Sequence, residues 1–325
     1  MKDYIIRRLL ENMGGYVSGE ELCEHSGVTR SAVWKYISSL RDEGFKIEAA
    51  SGKGYSLREI PDVLCQAAIE HYTENNDFWK KIIVLNMVDS TNLYLRSLCN
   101  LRAAEGTAVF ASCQTDGRGR RGRVWQSPDS DGIYMSVLLT PDMPYEKVPI
   151  MSLYAAVAVK KAVEEVCNIS CDIKWPNDLQ VGGKKLCGIL CEVTGEINND
   201  FYCIIGIGIN ANHKKRSFEK DIRDTATSVL LETGHTVDRC KLAAAVLNNF
   251  YKLYKKDGFS IDEYRKDCIT LNNEITVLRG DNAISAYALD VTSTGGLLIK
   301  TDDGKISEVK SGEVSIRAAG NKNDK

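Results

Sequence analysis

Gly117-Arg118-Gly119-Arg120-Arg121-Gly122-Arg123, continued by Val124-Trp125-Gln126-Ser127-Pro128, carries the spacing G-x-G-x-x-G, and its reading decides the fold. A dinucleotide fingerprint uses such glycines to open a helix. Val124-Trp125-Gln126-Ser127-Pro128 cannot begin one cleanly, so a dinucleotide-binding fold is set aside. Four arginines among seven residues describe instead a flexible loop that brings positive charge onto an anion and orders around it. Taken alone, the segment serves equally well as a solvated basic loop or a nucleic-acid patch. Its neighbours decide between these readings.

Upstream, apolar patterning predicts a strand over 81–88 and a helix over 92–101, joined by Asp89-Ser90-Thr91-Asn92. That junction sets hydroxyl and amide groups at a helix N-terminus, where a small polar head can bind, although a lone instance is only a cap. Strands are expected over 107–113 and 133–140, then a long helix over 148–166 in which Ala155, Ala156, Val159 and Val163 can pack on a sheet. Further strands follow at 171–174, 179–181, 186–193 and 201–210. Lys174-Trp175-Pro176-Asn177-Asp178 leaves the first of these through a proline-fixed corner, and Gly182-Gly183 joins the middle pair. Gly206-Ile207-Gly208-Ile209-Asn210 ends an apolar strand with two glycines, which permits close approach of a ligand or another backbone. No glycine lies five residues before a Gly-Lys pair, so there is no Walker A loop. This is a mixed α/β catalytic-type domain. After a helical stretch over 241–264, residues 274–317 alternate short strands with turns such as Asp302-Asp303-Gly304, the pattern of a small β-barrel.

In front of that domain, Tyr4, Ile5, Ile6, Leu9 and Leu10 form one face of a first helix that ends at Gly14-Gly15. Ser18 stands three residues before Glu21, a capping box for a second helix closed by Gly27. Thr29 caps a third, in which Val33, Ile37 and Leu40 face inward and Arg30, Ser31, Trp34, Lys35 and Ser38 face out. Residues 45–48 and 55–58 then flank Ser51-Gly52-Lys53-Gly54 as strand, turn and strand. Three helices followed by such a wing predict a winged helix-turn-helix. Residues 28–58 hold Arg30, Lys35, Arg41, Lys46, Lys53 and Arg58 against Asp42, Glu43 and Glu48, a local charge of +3. Arg30, Ser31, Trp34 and Lys35 are therefore expected in a DNA major groove, with Lys53 near phosphate. A three-helix protein-interaction module is the alternative.

Bulk properties exclude several classes. At 325 residues, 43% hydrophobic and 26% charged, the chain is globular and long enough for two or three domains. It has no apolar leader and no membrane-length apolar run, so a cytoplasmic protein is expected. Eleven cysteines at irregular spacing, none in a CxxC pair, read as reduced thiols and offer no zinc site or disulfide scaffold. Net charge is only −2, so nucleic-acid contact must come from a local patch.

Taken in order, DSTN at 89–92, the arginine-glycine loop from Gln114 to Trp125, KWPND at 174–178, K-x-C-G-I-L-x-E at 185–192 and GIGIN at 206–210 resemble the biotin–protein ligase family. With the winged helix in front, the chain is similar to the form that doubles as biotin operon repressor. The resemblance implies an α+β protein: a winged helix-turn-helix over 1–60, a biotin/lipoate-ligase-like catalytic domain over 62–271 and an SH3-like β-barrel over 272–325. It implies that Ser90, Thr91, Asn92 and Gln114 line a biotin pocket, with Asn210 beside the adenylate. Arg118, Gly119 and Arg120 fold over the adenylate, Trp125 lies near adenine, and Lys185 meets biotin carboxylate and phosphate oxygens. ATP, Mg2+ and biotin are the implied small molecules, with no metal held by protein side chains alone. Implied partners are a biotin carboxyl carrier domain with its acceptor lysine, operator DNA of biotin genes and a second copy of the chain recruited by biotinyl-5'-AMP, with no membrane. Asp178 is the candidate to orient the acceptor amine or take its proton, the alternative being a salt bridge to a basic neighbour. Catalysis is expected from positioning and charge on Arg118, Arg120 and Lys185. Two other functions stay open: a lipoate or octanoate ligase, and a catalytically silent biotin-sensing transcription factor. Cys187 stands where the family usually has a small residue.

Overall fold

The computed structural model describes residues 1–318 except 25–26, 76, 128–130, 197–199, 257, 280–281 and 311–314. Pro128 and the expected last residues of the C-terminal unit, 319–325, lie outside the described residues.

The N-terminal unit follows the sequence closely. Helix α1 (Lys2–Glu11) buries Ile5, Ile6, Leu9 and Leu10. In α2 (Gly19–Glu24) the Ser18 hydroxyl accepts from Glu21 N at 3.0 Å, the first half of the expected capping box. Helix α3 (Arg30–Asp42) is capped by Thr29, which accepts from Ala32 N at 3.3 Å, and buries Val33, Ile37 and Leu40. The wing is the antiparallel pair β1 (Lys46–Ala50) and β2 (Gly54–Glu59). Helix α4 (Gln66–Tyr72) comes next and packs on α1, with Arg7 meeting Glu70 at 2.5 Å.

The central sheet has seven strands in the order β3-β4-β5-β9-β8-β7-β6. Helix α5 (Thr91–Cys99) connects the parallel pair β3 (Lys81–Val88) and β4 (Thr107–Gln114), and β5 (Ile133–Leu139) runs antiparallel to β4. Helix α6 (Met151–Cys167) leads to β6 (Asp172–Lys174), β7 (Asp178–Val181), β8 (Lys184–Glu196) and β9 (Asp200–Ile209). Side chains alternate across a strand with period two. Cys187 and Ile189 of β8, with Ile205, Ile207 and Ile209 of β9, therefore join the main core under α6 and α8 (Arg239–Tyr251). The intervening residues face α5, and there Leu95, Val109, Leu138 and Ile204 form a second, smaller core. Gly188 and Gly208 are paired directly across β8 and β9, as are Leu190 and Gly206. These glycines leave the floor of that face low. A short α7 (Val229–Thr233) precedes α8, and α9 (Ile261–Asp267) follows it.

The C-terminal sheet contains β10 (Glu274–Arg279), β11 (Asn282–Val291), β12 (Leu297–Thr301), β13 (Ile306–Val309) and β14 (Ser315–Ala318), in the order β13-β12-β11-β10-β14. The five strands form an antiparallel sheet, and among the described residues no ladder joins β13 to β14. Ile275, Val277, Ala286, Ala288, Leu297 and Ile299 bury its inner face. The buried Trp175 indole donates to Gly295 O at 3.1 Å and so ties this sheet to the KWPND corner.

Candidate active site and DNA-contacting face

The low floor opens into a cleft of about 1170 Å³, and all eleven ligase-site residues expected from sequence line it: Ser90, Thr91, Asn92, Gln114, Arg118, Gly119, Arg120, Trp125, Asp178, Lys185 and Asn210. Ser90, Thr91 and Asn92 are nearly fully buried at the start of α5. Thr91 N donates to Gln114 Oε1 at 2.9 Å, which joins the helix N-terminus to the end of β4. Asn92 Nδ2 donates to Glu192 at 2.8 Å, and its amide rests against Gly206, where a Cβ would come within 2.4 Å of Asn92 Oδ1.

The arginine-glycine segment folds back on itself. Gly119 N donates to Arg123 O at 2.7 Å and Trp125 N to Gly117 O at 2.8 Å. Arg121 sits at φ +57° at the tip and reaches Leu278 O of the C-terminal sheet at 3.4 Å. Arg118 points to Asp116 at 3.6 Å and stays largely exposed. Arg120 turns inward, donating to Asn177 Oδ1 at 2.9 Å. Burial pulls its pKa down and Asp178 opposes the shift. A guanidinium starts so far above neutrality that it keeps its proton, so a partly desolvated cation faces the cleft. Trp125 lies over the glycine floor: a Cβ on Gly208 would come within 2.4 Å of the indole, and one on Gly188 within 2.8 Å. Lys185 Nζ sits 5.5 Å from the Trp125 ring centroid and 2.7 Å from Asp178 Oδ1. The salt bridge set against a proton-transfer role for Asp178 is therefore present. Asn210 is buried at the end of β9, and its N–H donates to Leu186 O at 2.9 Å.

Sequence reading missed three contributors. Asn177 orients Arg120, while Ser136 and Glu192 hold Asn92 from either side. Of these Asn177 carried a signal within KWPND and Glu192 as the last position of K-x-C-G-I-L-x-E, while Ser136 carried none.

On the winged helix, Arg30, Ser31, Trp34, Lys35 and Lys53 are all exposed, Trp34 to 58%. Lys46 and Arg58 are spent on Glu59 and Glu48, and Arg41 donates to Ile47 O. Among the described residues no ion pair engages Arg30, Lys35 or Lys53, whose ammonium lies 5.7 Å from the Tyr16 ring centroid.

Comparison with known proteins finds three matching families along the chain. Residues 84–210 match the biotin/lipoate A/B protein ligase family, residues 2–56 an HTH domain, and residues 270–317 the biotin protein ligase C terminal domain. The bifunctional ligase/repressor BirA of Bacillus subtilis (strain 168) is 36% identical over 93% of this chain and 94% of its own. The chain belongs to the BirA family of bifunctional ligase/repressors. BirA of Escherichia coli (strain K12) is 32% identical over 96% of both chains. The biotin protein ligase from Aquifex aeolicus, solved in complex with biotin and ATP, superposes with a TM-score of 0.62 at 34% identity, covering 74% of this chain and all of that one. Within the BirA family the chain is a biotin ligase with a repressor's HTH domain, which removes the lipoate or octanoate ligase and the silent transcription factor as readings. Among the described residues no helix is long and apolar enough to cross a membrane.

Proposed function

We propose that this cleft joins biotin to ATP and passes the biotinyl group to the lysine of a biotin carboxyl carrier domain. The observation that carries the reading is the convergence of four polar groups at the start of α5, an inward arginine, a lysine and a glycine-floored indole on one cavity. Biotin's head sits against Ser90, Thr91, Asn92 and Gln114, with Asn210 beside the adenylate. Its carboxylate attacks the α-phosphate of ATP, giving biotinyl-5'-AMP and pyrophosphate. Negative charge gathers there, and Arg118, Arg120 and Lys185 meet it while Gly119 lets the loop close and Trp125 backs the adenine. Among the described residues no three His, Cys, Asp or Glu side chains converge as a metal cage. Mg2+ enters on the phosphates of ATP, as part of that substrate. In the second step the acceptor amine displaces AMP, with Asp178 orienting the amine or taking its proton once Lys185 engages phosphate.

The same reading takes residues 1–60 as the winged helix, 62–271 as the catalytic domain and 272–325 as a small SH3-like barrel. Arg30, Ser31, Trp34 and Lys35 enter the major groove of a biotin-gene operator, and Lys53 meets phosphate. One winged helix reads one half-site, so the operator complex holds two chains, and biotinyl-5'-AMP favours it through higher affinity for the dimer-competent state. Acceptor protein opposes that complex by consuming the adenylate. Biotin-dependent exchange of labelled pyrophosphate into ATP tests the first step: Arg120→Ala should lose roughly 100- to 1000-fold. Wild-type exchange in that variant would remove Arg120 from the site.

A further inference from the structure

Resting on the biotin reading above, we infer that Ser136 and Glu192 are positioning residues that fix the direction of hydrogen bonding along the head wall of the cleft. They leave Thr91 as an acceptor and so select a ligand head that carries N–H groups. Ser136 lies on β5 behind the start of α5, fully buried, and neither its hydroxyl nor the Glu192 carboxylate belongs to the groups assigned above to hold ligand.

Glu192 accepts from Asn92 Nδ2 at 2.8 Å, and the Arg96 guanidinium reaches its other oxygen at 3.4 Å. The Asn92 amide is thereby oriented, because only its NH2 side can donate, and Oδ1 is turned toward Ser136. Ser136 Oγ stands 2.6 Å from both Asn92 Oδ1 and Thr91 Oγ1, yet it has a single proton. An amide oxygen cannot donate, so the single Ser136 proton serves Asn92 or Thr91, and the Thr91 proton is left to Ser136 or to Gln114 Oε1. Gln114 closes the other end. Its Nε2 donates to Ser127 Oγ at 3.0 Å, and its Oε1 accepts Thr91 N–H at 2.9 Å with Thr91 Oγ1 at 3.2 Å. Each direction open to the Thr91 hydroxyl proton, toward Ser136 or toward Gln114, points into the protein. The lone pairs that remain toward the cleft can only accept. A ureido ring supplies N–H donors to such a wall; a dithiolane or a bare alkyl acid supplies none and would leave the buried acceptor unpaired.

The test is steady-state pyrophosphate exchange on full-length protein, with biotin and ATP varied separately, in wild type, Ser136→Ala, Glu192→Ala and Glu192→Gln. We expect Ser136→Ala and Glu192→Ala to raise the KM for biotin about tenfold, the size of one lost hydrogen bond, with the KM for ATP and kcat each within about twofold of wild type. A glutamine carbonyl still accepts from Asn92 Nδ2, so Glu192→Gln should restore the biotin KM. Unchanged biotin KM in both alanine variants would overturn the inference. So would a Glu192→Gln defect equal to that of Glu192→Ala, or a parallel loss in both KM values and kcat, which marks simple structural damage. If Glu192→Ala does not fold, Ser136→Ala, shorter by one oxygen, carries the test. Absence of biotin-dependent exchange in wild type would refute the functional reading itself, an outcome distinct from all of these.

Discussion

Gly208→Ala probes the floor of the cleft with a single methyl group. Gly208 sits one residue from the end of β9, in extended backbone that alanine can adopt. Its Cβ would stand 2.4 Å from Trp125 Cε2 and 2.5 Å from Nε1, about 1 Å short of ordinary van der Waals contact. The paired strand offers no relief, since the indole also lies within 2.8 Å of a Cβ position on Gly188. The ring must therefore retreat into the space proposed for adenine. A misplacement of about 1 Å costs a catalytic site on the order of 100-fold. We expect kcat/KM for ATP in biotin-dependent pyrophosphate exchange to fall by about that factor, while the biotin Kd from calorimetry moves less than about threefold, because the head wall belongs to Gly206 and Asn92. Folding should be preserved, and the tryptophan emission should shift as the indole is displaced. ATP kinetics equal to wild type would mean that Trp125 does not border the nucleotide.

Two further outcomes follow from the description above. Lys53→Ala should weaken operator binding evenly across sequences and lower the slope of log K against log salt by roughly 1, as loss of one phosphate contact does; an unchanged slope in a salt titration would take the wing off the DNA. Burial pushes the Cys171 and Cys240 thiols up to about 12 from 9.0, so each stays protonated when folded at a pH where the unfolded chain ionises. Their contribution is complete below about pH 9 and is lost as pH rises toward 12, at about 1.4 kcal/mol per pH unit for each thiol. Urea unfolding at pH 8 and pH 10 should show that decline, and alanine at both positions should reduce it by their share, leaving the part due to the other buried thiols.

The elements that could be read from sequence were those whose signal is local. The α3 stripe of Val33, Ile37 and Leu40, the Thr29 and Ser18 caps and the apolar strand ending in GIGIN each follow from spacing within a dozen residues. Helices α4 and α7 went unread because seven and five residues carry little periodicity, and the Cys65 cap of α4 makes no side-chain hydrogen bond. Strand β8 runs from Lys184 to Glu196, past the apolar core of 186–193, because pairing with β7 extends its start and pairing with β9 its end. Nothing in the local sequence marks Asp62, between the winged helix and the catalytic domain, as more than a connecting residue. Asp62 is instead clamped by Arg239, 2% exposed, at 2.6 Å and by Asn212 at 2.6 Å. No propensity foretells a buried arginine whose partner lies so far away in sequence. The cleft was legible as a set of motifs, but the wiring from Ser127 through Gln114, Thr91, Ser136 and Asn92 to Glu192 depends on register between separate strands.

Under the proposed function, the adenylate made in the cleft governs the chain's own grip on DNA. This is tested most directly by titrating operator DNA with the full-length protein, with and without saturating biotinyl-5'-AMP, at fixed salt. Operator binding should be tighter by roughly 5- to 150-fold with the adenylate, the usual range of allosteric coupling, with two chains per operator by sedimentation. Equal affinity in the two titrations would contradict it.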